Sequence, residues 1–415
     1  LKNNDIKNDL DKTPQLHVLQ TTDESIGTLQ FNITSTLNNL PIANAIITIT
    51  YTDDPNNETI KEVTTNDLGQ SDIIELPTPP LDYSLQPGSS RPYSEYTFTI
   101  AAPGYEEIAI FGAQILPTVK AQQYVSLVPL PPAGEGTAEE FIIPDHTLYG
   151  DYPPKIIEDE IKPVAESGEI VLLEVVIPEF VVVHDGLPED TSAKNYYVRY
   201  RDYIKNVASS EIYPTWPEEA LRANIYAITS TALNRIFTEW YRARGYNFDI
   251  TNDTRYDQAY VHNRGIYDSV SRLVDELFDS YIVRQGQLEP LYAQFCDGRV
   301  SFCPGLLQWG TVELANQEYT PYEILQYYYG PDIAIQTNAP LAEAYETYPG
   351  IPLRLGENNP YILLMQIFLN TISTNFPAIP RIPNPSGTFD ETTKEAVSAF
   401  QEVFNLPVTG TIDKA

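Results

Sequence analysis

The spacing of hydrophobic residues changes along this 415-residue chain, from a strand-like period to a helical one. Two patterns of this kind indicate more than one domain. Between residues 27 and 130, short runs alternate apolar with polar side chains, as at 29–33 and 96–100. A period of two is typical of strands with one buried face, and turn-forming clusters separate these runs. From about residue 196, apolar side chains instead recur every three or four positions, which is the helical period. We therefore predict several domains.

The domain organisation follows from this change of pattern. We predict a flexible tail at 1–26, an all-β sandwich at 27–130, a proline-rich linker at 131–170, a mainly α (α+β) domain at 171–340 and a small helical module at 345–415. The linker prediction depends on clustered Pro, Gly and Glu, which favour an extended chain open to proteolysis. Within the fourth part, Thr215 as N-cap and Pro217 just inside predict a helix start.

The formal net charge of −32 excludes two classes of partner. Nucleic acid and anionic lipid are both negatively charged, so this surface would repel them. No apolar run approaches the ~20 residues that a membrane-spanning helix needs. We expect no nucleic-acid partner, no membrane span and no cofactor.

The two cysteines, Cys296 and Cys303, allow three interpretations: a disulfide, two zinc ligands, or free buried thiols. A zinc site wants four ligands, and His262 is the only histidine nearby. We assign no metal, and the disulfide and ligand interpretations both stay open.

The C-terminal part carries a specific pattern of small and polar residues. Leu355-Gly356 is followed by Gln366, then by Gly387-Thr388-Phe389, Phe400-Gln401 and Thr409-Gly410, with predicted helices at about 360–373 and 391–404. This pattern resembles the small three-helix peptidoglycan-binding domain that is often fused to cell-wall hydrolases. The resemblance implies that this module binds the bacterial wall.

The central part holds three motifs in order. Glu211 precedes a Pro-bearing turn and an Ala-Leu-rich helix, and the motifs Asp257-Gln258-Ala259-Tyr260 and Gln308-Trp309-Gly310 follow. This order resembles the SpoIID/LytB family of lytic transglycosylases, a likeness that implies a SpoIID-like catalytic domain with Glu211 as its catalytic acid. It also implies a set of substrate-binding residues: Tyr213, Asp257, Gln258, Tyr260, Gln308 and Trp309.

A single carboxyl group is sufficient for this reaction. A lytic transglycosylase uses the C6 hydroxyl of muramic acid as nucleophile, so proximity replaces the second carboxylate of a glycoside hydrolase. The acid must begin protonated, and the apolar neighbours Ile212, Tyr213 and Trp216 favour that form. Glu218 and Glu219 instead belong to the first turn of the predicted helix, where carboxylates interact with the helix dipole.

The whole chain resembles germination-specific spore cortex-lytic enzymes of the SleC type, and its β-rich part is similar to carboxypeptidase-regulatory or transthyretin-like sandwiches. The resemblance implies a pro-form at the spore cortex or the cortex–coat boundary, which a subtilisin-like protease activates by cutting the linker. Cortex peptidoglycan would be both substrate and partner. Two alternatives stay open: an N-acetylmuramoyl-L-alanine amidase, which the scattered histidines disfavour, and a peptidoglycan-binding spore protein without catalysis.

Overall fold

The computed structural model describes residues 25–36, 39–88, 90–130, 138–160, 175–342, 352–358, 360–373 and 376–413. Most of the predicted tail lies outside these residues, as do 131–137 and 161–170 of the predicted linker. Among the helices of the described chain, none is both long enough and apolar enough to cross a bilayer.

The N-terminal part consists of two packed β-sheets. Its elements are β1 (Ser25–Ser35), β2 (Ile46–Tyr51), β3 (Thr59–Thr64), β4 (Ile74–Thr78), α1 (Asp82–Leu85), β5 (Ser94–Ala101), β6 (Ile108–Ile115), β7 (Lys120–Leu127) and β8 (Glu139–Ile142). One sheet contains β7, β1 and β4 in that order, and the other runs β3-β2-β5-β6-β8. Alternate side chains of β1 and β5 meet between the sheets, where the rings of Phe31 and Phe98 lie 4.9 Å apart.

Strand β8 lies inside the region predicted as a linker. It pairs in parallel with the edge strand β6, from Ile108 with Glu139 to Phe111 with Ile142. An edge strand presents unpaired N–H and C=O groups. Residues of β8 form hydrogen bonds with these groups of β6, although the β8 sequence lacks a strong strand pattern. Residues 143–160, also predicted as linker, lie against the central domain and include the buried Ile143, His146 and Leu148.

The central domain is built around one long helix. Its elements are β9 (Phe180–His184), β10 (Asn195–Arg199), α2 (Tyr200–Glu211), α3 (Glu218–Phe237), a 3-10 turn (Arg242–Arg244), β11 (Ile250–Thr251), β12 (Ile266–Tyr267), α4 (Asp268–Leu277), β13 (Tyr281–Arg284), β14 (Phe295–Cys296), β15 (Leu306–Leu307), α5 (Gln308–Ala315), α6 (Pro321–Tyr329) and β16 (Ile333–Gln336). Helices α2, α4, α5 and α6 all pack on α3, which is therefore buried on most of its faces.

Helix α3 begins later than its sequence indicates. The predicted N-cap Thr215 makes no capping bond, and Pro217 occupies the cap position instead. The Thr215 hydroxyl donates to the Ser84 hydroxyl at 2.8 Å, and the Trp216 indole N–H donates to the Ser84 carbonyl at 2.9 Å. These contacts with the N-terminal part outweigh the local capping signal, so the prediction of this helix start was wrong by two residues.

The sheets and the central domain share one continuous hydrophobic core. Strand β12 extends the first sheet by pairing with β7, so that Ile266 faces Gln122 and Tyr267 faces Ala121. The Tyr267 hydroxyl donates to the Gln114 carbonyl at 3.2 Å, and Arg264 donates to the Gln114 side chain. The N-terminal part is thus packed onto the central domain through both backbone and side chains.

The C-terminal module has its own small core and two helices, α7 (Pro360–Ile372) and α8 (Glu391–Val403). The third helix of the predicted bundle is absent from the described residues, whose remaining segments are turns and bridges. Two buried glutamines hold these turns. The side-chain Oε1 of Gln366 accepts from the backbone N–H groups of Ser386 and Gly387, and the side-chain Oε1 of Gln401 accepts from those of Thr409 and Gly410.

Candidate active site

Glu211 is the last residue of α2, and its side chain is 3% exposed. Its Oε1 accepts a hydrogen bond from the Ala259 backbone N–H at 2.8 Å. The Gln308 side-chain amide donates to the Glu211 carbonyl at 2.9 Å and to Oε2 at 3.4 Å. The end of α2, the start of α5 and the loop after β11 therefore meet at one carboxyl group.

A third neighbour of this carboxyl group comes from the region predicted as linker. The Thr147 hydroxyl lies 2.9 Å from the Ser210 carbonyl and 3.2 Å from Glu211 Oε2. A hydroxyl has one proton, so when Thr147 donates to Ser210 it can only accept from Glu211, which requires a protonated carboxyl group. The contact is therefore compatible with either form of Glu211.

Lys155 and Arg299 are the two cations that line this cavity. Lys155 Nζ donates to the Asp257 carbonyl at 2.7 Å and lies 4.1 Å from the centre of the Phe295 ring. Burial lowers the pKa of Lys155, while the nearby carboxyl groups of Glu211 and Asp257 oppose this shift. A hydrogen-bonded ammonium group beside the acid can act on a negatively charged substrate group or on the charge of Glu211 itself.

The cavity at Glu211 is narrow and partly open to solvent, with a volume of about 60 Å³. Glu211 and Gln308 form its inner wall, residues 147–155 line one side, and residues 296–301 line the other. Glu211, which is 3% exposed, therefore lies between two walls that come from distant parts of the chain.

Residues 145–153, which we call the cover, are held firmly. The His146 ring is buried and packs on Tyr213, with 4.5 Å between ring centres, and its Nδ1 accepts from the Leu148 N–H at 3.2 Å. Burial, followed by the charge of Arg264, holds the pKa of His146 well below its usual range. A neutral histidine is therefore part of the contact between the cover and the central domain.

The opposite wall is a loop that a disulfide between Cys296 and Cys303 closes. Of the interpretations open for these cysteines, the structure has the disulfide, and the described residues contain no cluster of side chains that could hold a metal ion. Inside the loop, the Asp297 carboxylate accepts from the backbone of Val300 at 2.8 Å and of Ser301 at 2.7 Å. The backbone N–H of Trp309 donates to the Asp297 backbone carbonyl at 3.2 Å, which connects the loop to α5.

Two predicted substrate-binding residues lie in the interior. Asp257 is fully buried and pairs with Arg235, with 2.6 Å between Oδ1 and Nε. Its Oδ2 accepts from the Tyr241 hydroxyl at 2.7 Å and from the Thr251 N–H at 2.9 Å. Gln258 is equally buried and donates to the Tyr203 hydroxyl at 3.1 Å. Neither side chain lines the cavity, so their role in substrate binding stays a prediction.

The predicted aromatic residues form packing contacts. Tyr213 and Trp309 belong to a buried cluster with Trp216, and the two tryptophan ring centres are 4.9 Å apart. Tyr260 is 5% exposed and its hydroxyl shares a hydrogen bond with His262 Nδ1 at 3.0 Å. Among the predicted substrate-binding residues, Gln308 is the one that lines the cavity with Glu211.

Sequence reasoning missed most residues of this cavity, among them Thr147, Lys155 and Asp297. Thr147 and Lys155 lie in a stretch whose prolines indicated a linker, and no local pattern shows that it folds back onto the acid. Asp297 follows Cys296 directly and therefore belongs to the loop that the disulfide closes. The nearby Gln308 motif was the one signal that could have placed this loop beside Glu211.

Two family models match parts of the chain. A model described as Stage II sporulation protein (SpoIID) matches residues 189–277, which include Glu211 and Ala259, and a model described as putative peptidoglycan binding domain matches residues 358–415. No curated protein is similar enough in sequence to count as a match.

The similar solved structures cover only part of the chain and superpose poorly. They include the minor pilin GBS52 of Streptococcus agalactiae, with 13% identity and a TM-score of 0.19 over 28% of this chain and 49% of that one. Wild-type catechol 1,2-dioxygenase of Acinetobacter radioresistens has 13% identity and a TM-score of 0.18 over 28% and 58%. The TIE protein of Bacillus anthracis has 18% identity and a TM-score of 0.18 over 26% and 18%.

This chain therefore spans between about a fifth and three fifths of those three proteins. TM-scores at this level carry no argument about function, so the two family models are the informative matches. The chain thus has a β-sheet-rich N-terminal part, a SpoIID domain within 189–277 and a peptidoglycan-binding domain within 358–415.

Proposed function

We propose that the chain is a lytic transglycosylase that cleaves the MurNAc–GlcNAc bonds of spore cortex peptidoglycan during germination. The observation that carries the proposal is the placement of Glu211. It is a buried carboxyl group held by the neutral donors of Ala259 and Gln308, inside the region that the SpoIID model matches. The C-terminal domain would hold the enzyme on its insoluble substrate.

In the first step, Glu211 donates a proton to the glycosidic oxygen and the bond from that oxygen to muramic acid C1 breaks. The Ala259 N–H fixes Oε1, so Oε2 is the oxygen that carries the proton toward the cavity. Positive charge develops at C1 and on the ring oxygen. The Gln308 side chain contacts Oε2 and orients it.

In the second step, the C6 hydroxyl of the same muramic acid attacks C1, and Glu211 accepts the hydroxyl proton. The product carries a 1,6-anhydromuramic end, and the acid returns to its starting form. Asp297 also lines the cavity, but its carboxylate accepts hydrogen bonds from its own loop. Its engagement favours internal transfer over hydrolysis by two acids.

We also propose that the chain is a pro-form that a subtilisin-like protease activates in the spore, at the cortex or the cortex–coat boundary. The support is the cover, because Thr147 occupies the position beside Glu211 Oε2 that a glycosidic oxygen would need. The cavity that remains beside Glu211 is narrow, about 60 Å³, and the cover forms one of its walls. Cleavage in the proline-rich region would begin the release of this cover.

The test compares wild type with Glu211→Gln on purified cortex peptidoglycan, before and after limited proteolysis. A general acid contributes about 10²- to 10⁴-fold, so the variant should lose cleavage by that factor while its melting temperature stays close to wild type. Mass spectrometry of soluble products should find 1,6-anhydromuramic ends with the wild type.

Other product ends would contradict the proposal in distinct ways. Reducing muramic acid ends would indicate hydrolysis, and new L-alanine amino termini would indicate an amidase. Cleavage that persists in Glu211→Gln would place the acid elsewhere. If neither protein cleaves but both sediment with peptidoglycan, the chain is a binding protein; the 3% exposure of Glu211 is the observation that favours this second candidate.

A further inference from the structure

Residues 155–160, which we call the strap, continue the cover across the surface of the central domain. The Ile156 N–H donates to the Arg255 carbonyl at 2.7 Å, and the Gln294 side-chain amide donates to the Ile156 carbonyl at 2.9 Å. Lys155 adds its bond to the Asp257 carbonyl. The backbone of the strap therefore binds the central domain independently of its charged side chains.

The first charged contact joins Glu158 to a buried arginine. Arg235 Nη1 and Nη2 donate to the two oxygens of Glu158 at 2.9 Å and 2.6 Å, and the Arg235 side chain is 0% exposed. Its guanidinium carbon lies 4.5 Å from the ring centre of Tyr292 and 4.9 Å from that of Trp240. A planar cation fixed between aromatic rings is a preformed site for a bidentate carboxylate.

The second charged contact repeats this geometry nearer the solvent. Arg284 Nε and Nη2 donate to the two oxygens of Glu160, both at 2.6 Å. Arg284 also donates to the Asp332 carboxylate and the Tyr329 carbonyl, so its position is set within the central domain. The two arginines thus face alternate residues of one extended acidic segment.

The part of the chain before the strap has a separate attachment. Strand β7 pairs with β12, and Trp216 and Tyr267 bond to the backbone of Ser84 and Gln114. A fragment that ended just after Glu160 would carry both the packed sheets and the strap. Two attachments on one fragment bind more tightly than either alone, because the second contact becomes intramolecular once the first has formed.

We propose that Arg235 and Arg284 form a docking site for the acidic strap, and that cleavage between Glu160 and Val175 leaves the N-terminal fragment bound as a non-covalent complex. This inference takes proteolytic activation from the proposed function but does not depend on the chemistry of Glu211. A cut at this position does not by itself uncover Glu211. Activation then needs a further event that breaks the docking, or a cut between β8 and Lys155.

The experiment uses the full chain with a recognition sequence for a site-specific protease inserted between Glu160 and Val175. After complete cleavage, size-exclusion chromatography with light scattering at micromolar concentration should give one peak with the mass of the uncut protein. Glu158→Gln removes the charge that Arg235 binds, and should weaken association of the fragments by about 10- to 100-fold. Asp159→Asn, at an exposed neighbour, removes the same charge and should leave association unchanged.

Melting temperatures of the uncut variants show that each one folds before it is cut. Separation of the wild-type fragments into two peaks would overturn the proposal. Equal association of wild type, Glu158→Gln and the double variant Glu158→Gln/Glu160→Gln would also overturn it, because the packed sheets alone would then hold the complex. These results concern mass only, so they stand whether or not the protein cleaves peptidoglycan.

Discussion

The central domain holds two buried carboxyl groups whose surroundings differ. Asp257 faces the Arg235 guanidinium, and although burial opposes the charge of Arg235, the Asp257 carboxylate holds the pKa of this arginine well above its usual range. Glu211 instead accepts hydrogen bonds from the Ala259 N–H and the Gln308 side-chain amide, and the charge of Lys155 acts on it. Asp257 thus belongs to a closed ion pair in the interior, whereas the Glu211 side chain lines a cavity.

The substitution Asp257→Ala is the strongest test of this difference between the two carboxyl groups. This substitution removes one of the two carboxylates that pair with buried Arg235, and it takes the acceptor away from the Tyr241 hydroxyl and the Thr251 N–H. We expect the free energy of unfolding to fall by about 3–5 kcal/mol. Urea denaturation measures it, with Glu211→Gln as the matched control at a loss of about 1 kcal/mol or less. Equal losses in both variants would remove the distinction between the two carboxyl groups.

Glu211 and Gln308, which the sequence motifs single out, do lie together, and the catalytic role of Glu211 stays a prediction. Both residues lie at helix ends, and helix periodicity is a local property that a sequence records directly. The limits of α7 and α8 agree with their predicted ranges within about one residue for the same reason. The buried roles of Asp257 and Gln258 depend on partners 22 and 55 residues away, Arg235 and Tyr203, which no local pattern indicates.

The segment that contains the cover and the strap shows the opposite case. Residues 138–160 contain prolines, charges and few consecutive apolar residues, so local propensity indicates a linker. Distant contacts hold them against the central domain, such as Thr147 with Glu211 and Glu158 with Arg235. A segment that is stabilised by contacts with another domain needs no hydrophobic periodicity of its own. Sequence patterns therefore do not predict its structure.

The pH dependence of stability sharpens the comparison, because His146 is a third buried ionisable group beside Glu211. Its pKa is lowered in the fold, so below about pH 6.5 the unfolded chain binds a proton that the folded chain does not. Stability should then fall as the pH falls, by up to about 1.4 kcal/mol per pH unit.

The measurement is urea denaturation of wild type and His146→Phe between pH 7 and pH 5.5. Phenylalanine keeps a ring against Tyr213 but does not titrate, so its slope with pH should be smaller than that of wild type. Parallel slopes would show that His146 gains a proton in the folded protein as easily as in the unfolded chain.

A smaller effect is expected at the contact between the cover and the acid. Thr147→Val keeps the shape of the side chain but removes the hydroxyl that bonds to Ser210 and Glu211. One lost hydrogen bond costs about 1 kcal/mol, so amide hydrogen exchange across 145–153 should become about fivefold faster. Thr147→Ser keeps the hydroxyl and serves as the control. Unchanged exchange in the valine variant would mean that other contacts alone close the site.

The smallest effect separates one acid from two. Asp297 is the second carboxylate that lines the cavity, and its oxygens accept from the backbone of Val300 and Ser301. If these bonds are its whole role, Asp297→Asn retains one acceptor oxygen. It should then change the rate of glycan cleavage by about twofold or less, because the residue would take no part in the reaction. A hydrolase that used Asp297 as its base would instead lose about 10²-fold or more. The rate and product ends of this variant therefore decide whether Glu211 acts alone, because a twofold change with anhydromuramic ends fits only internal transfer.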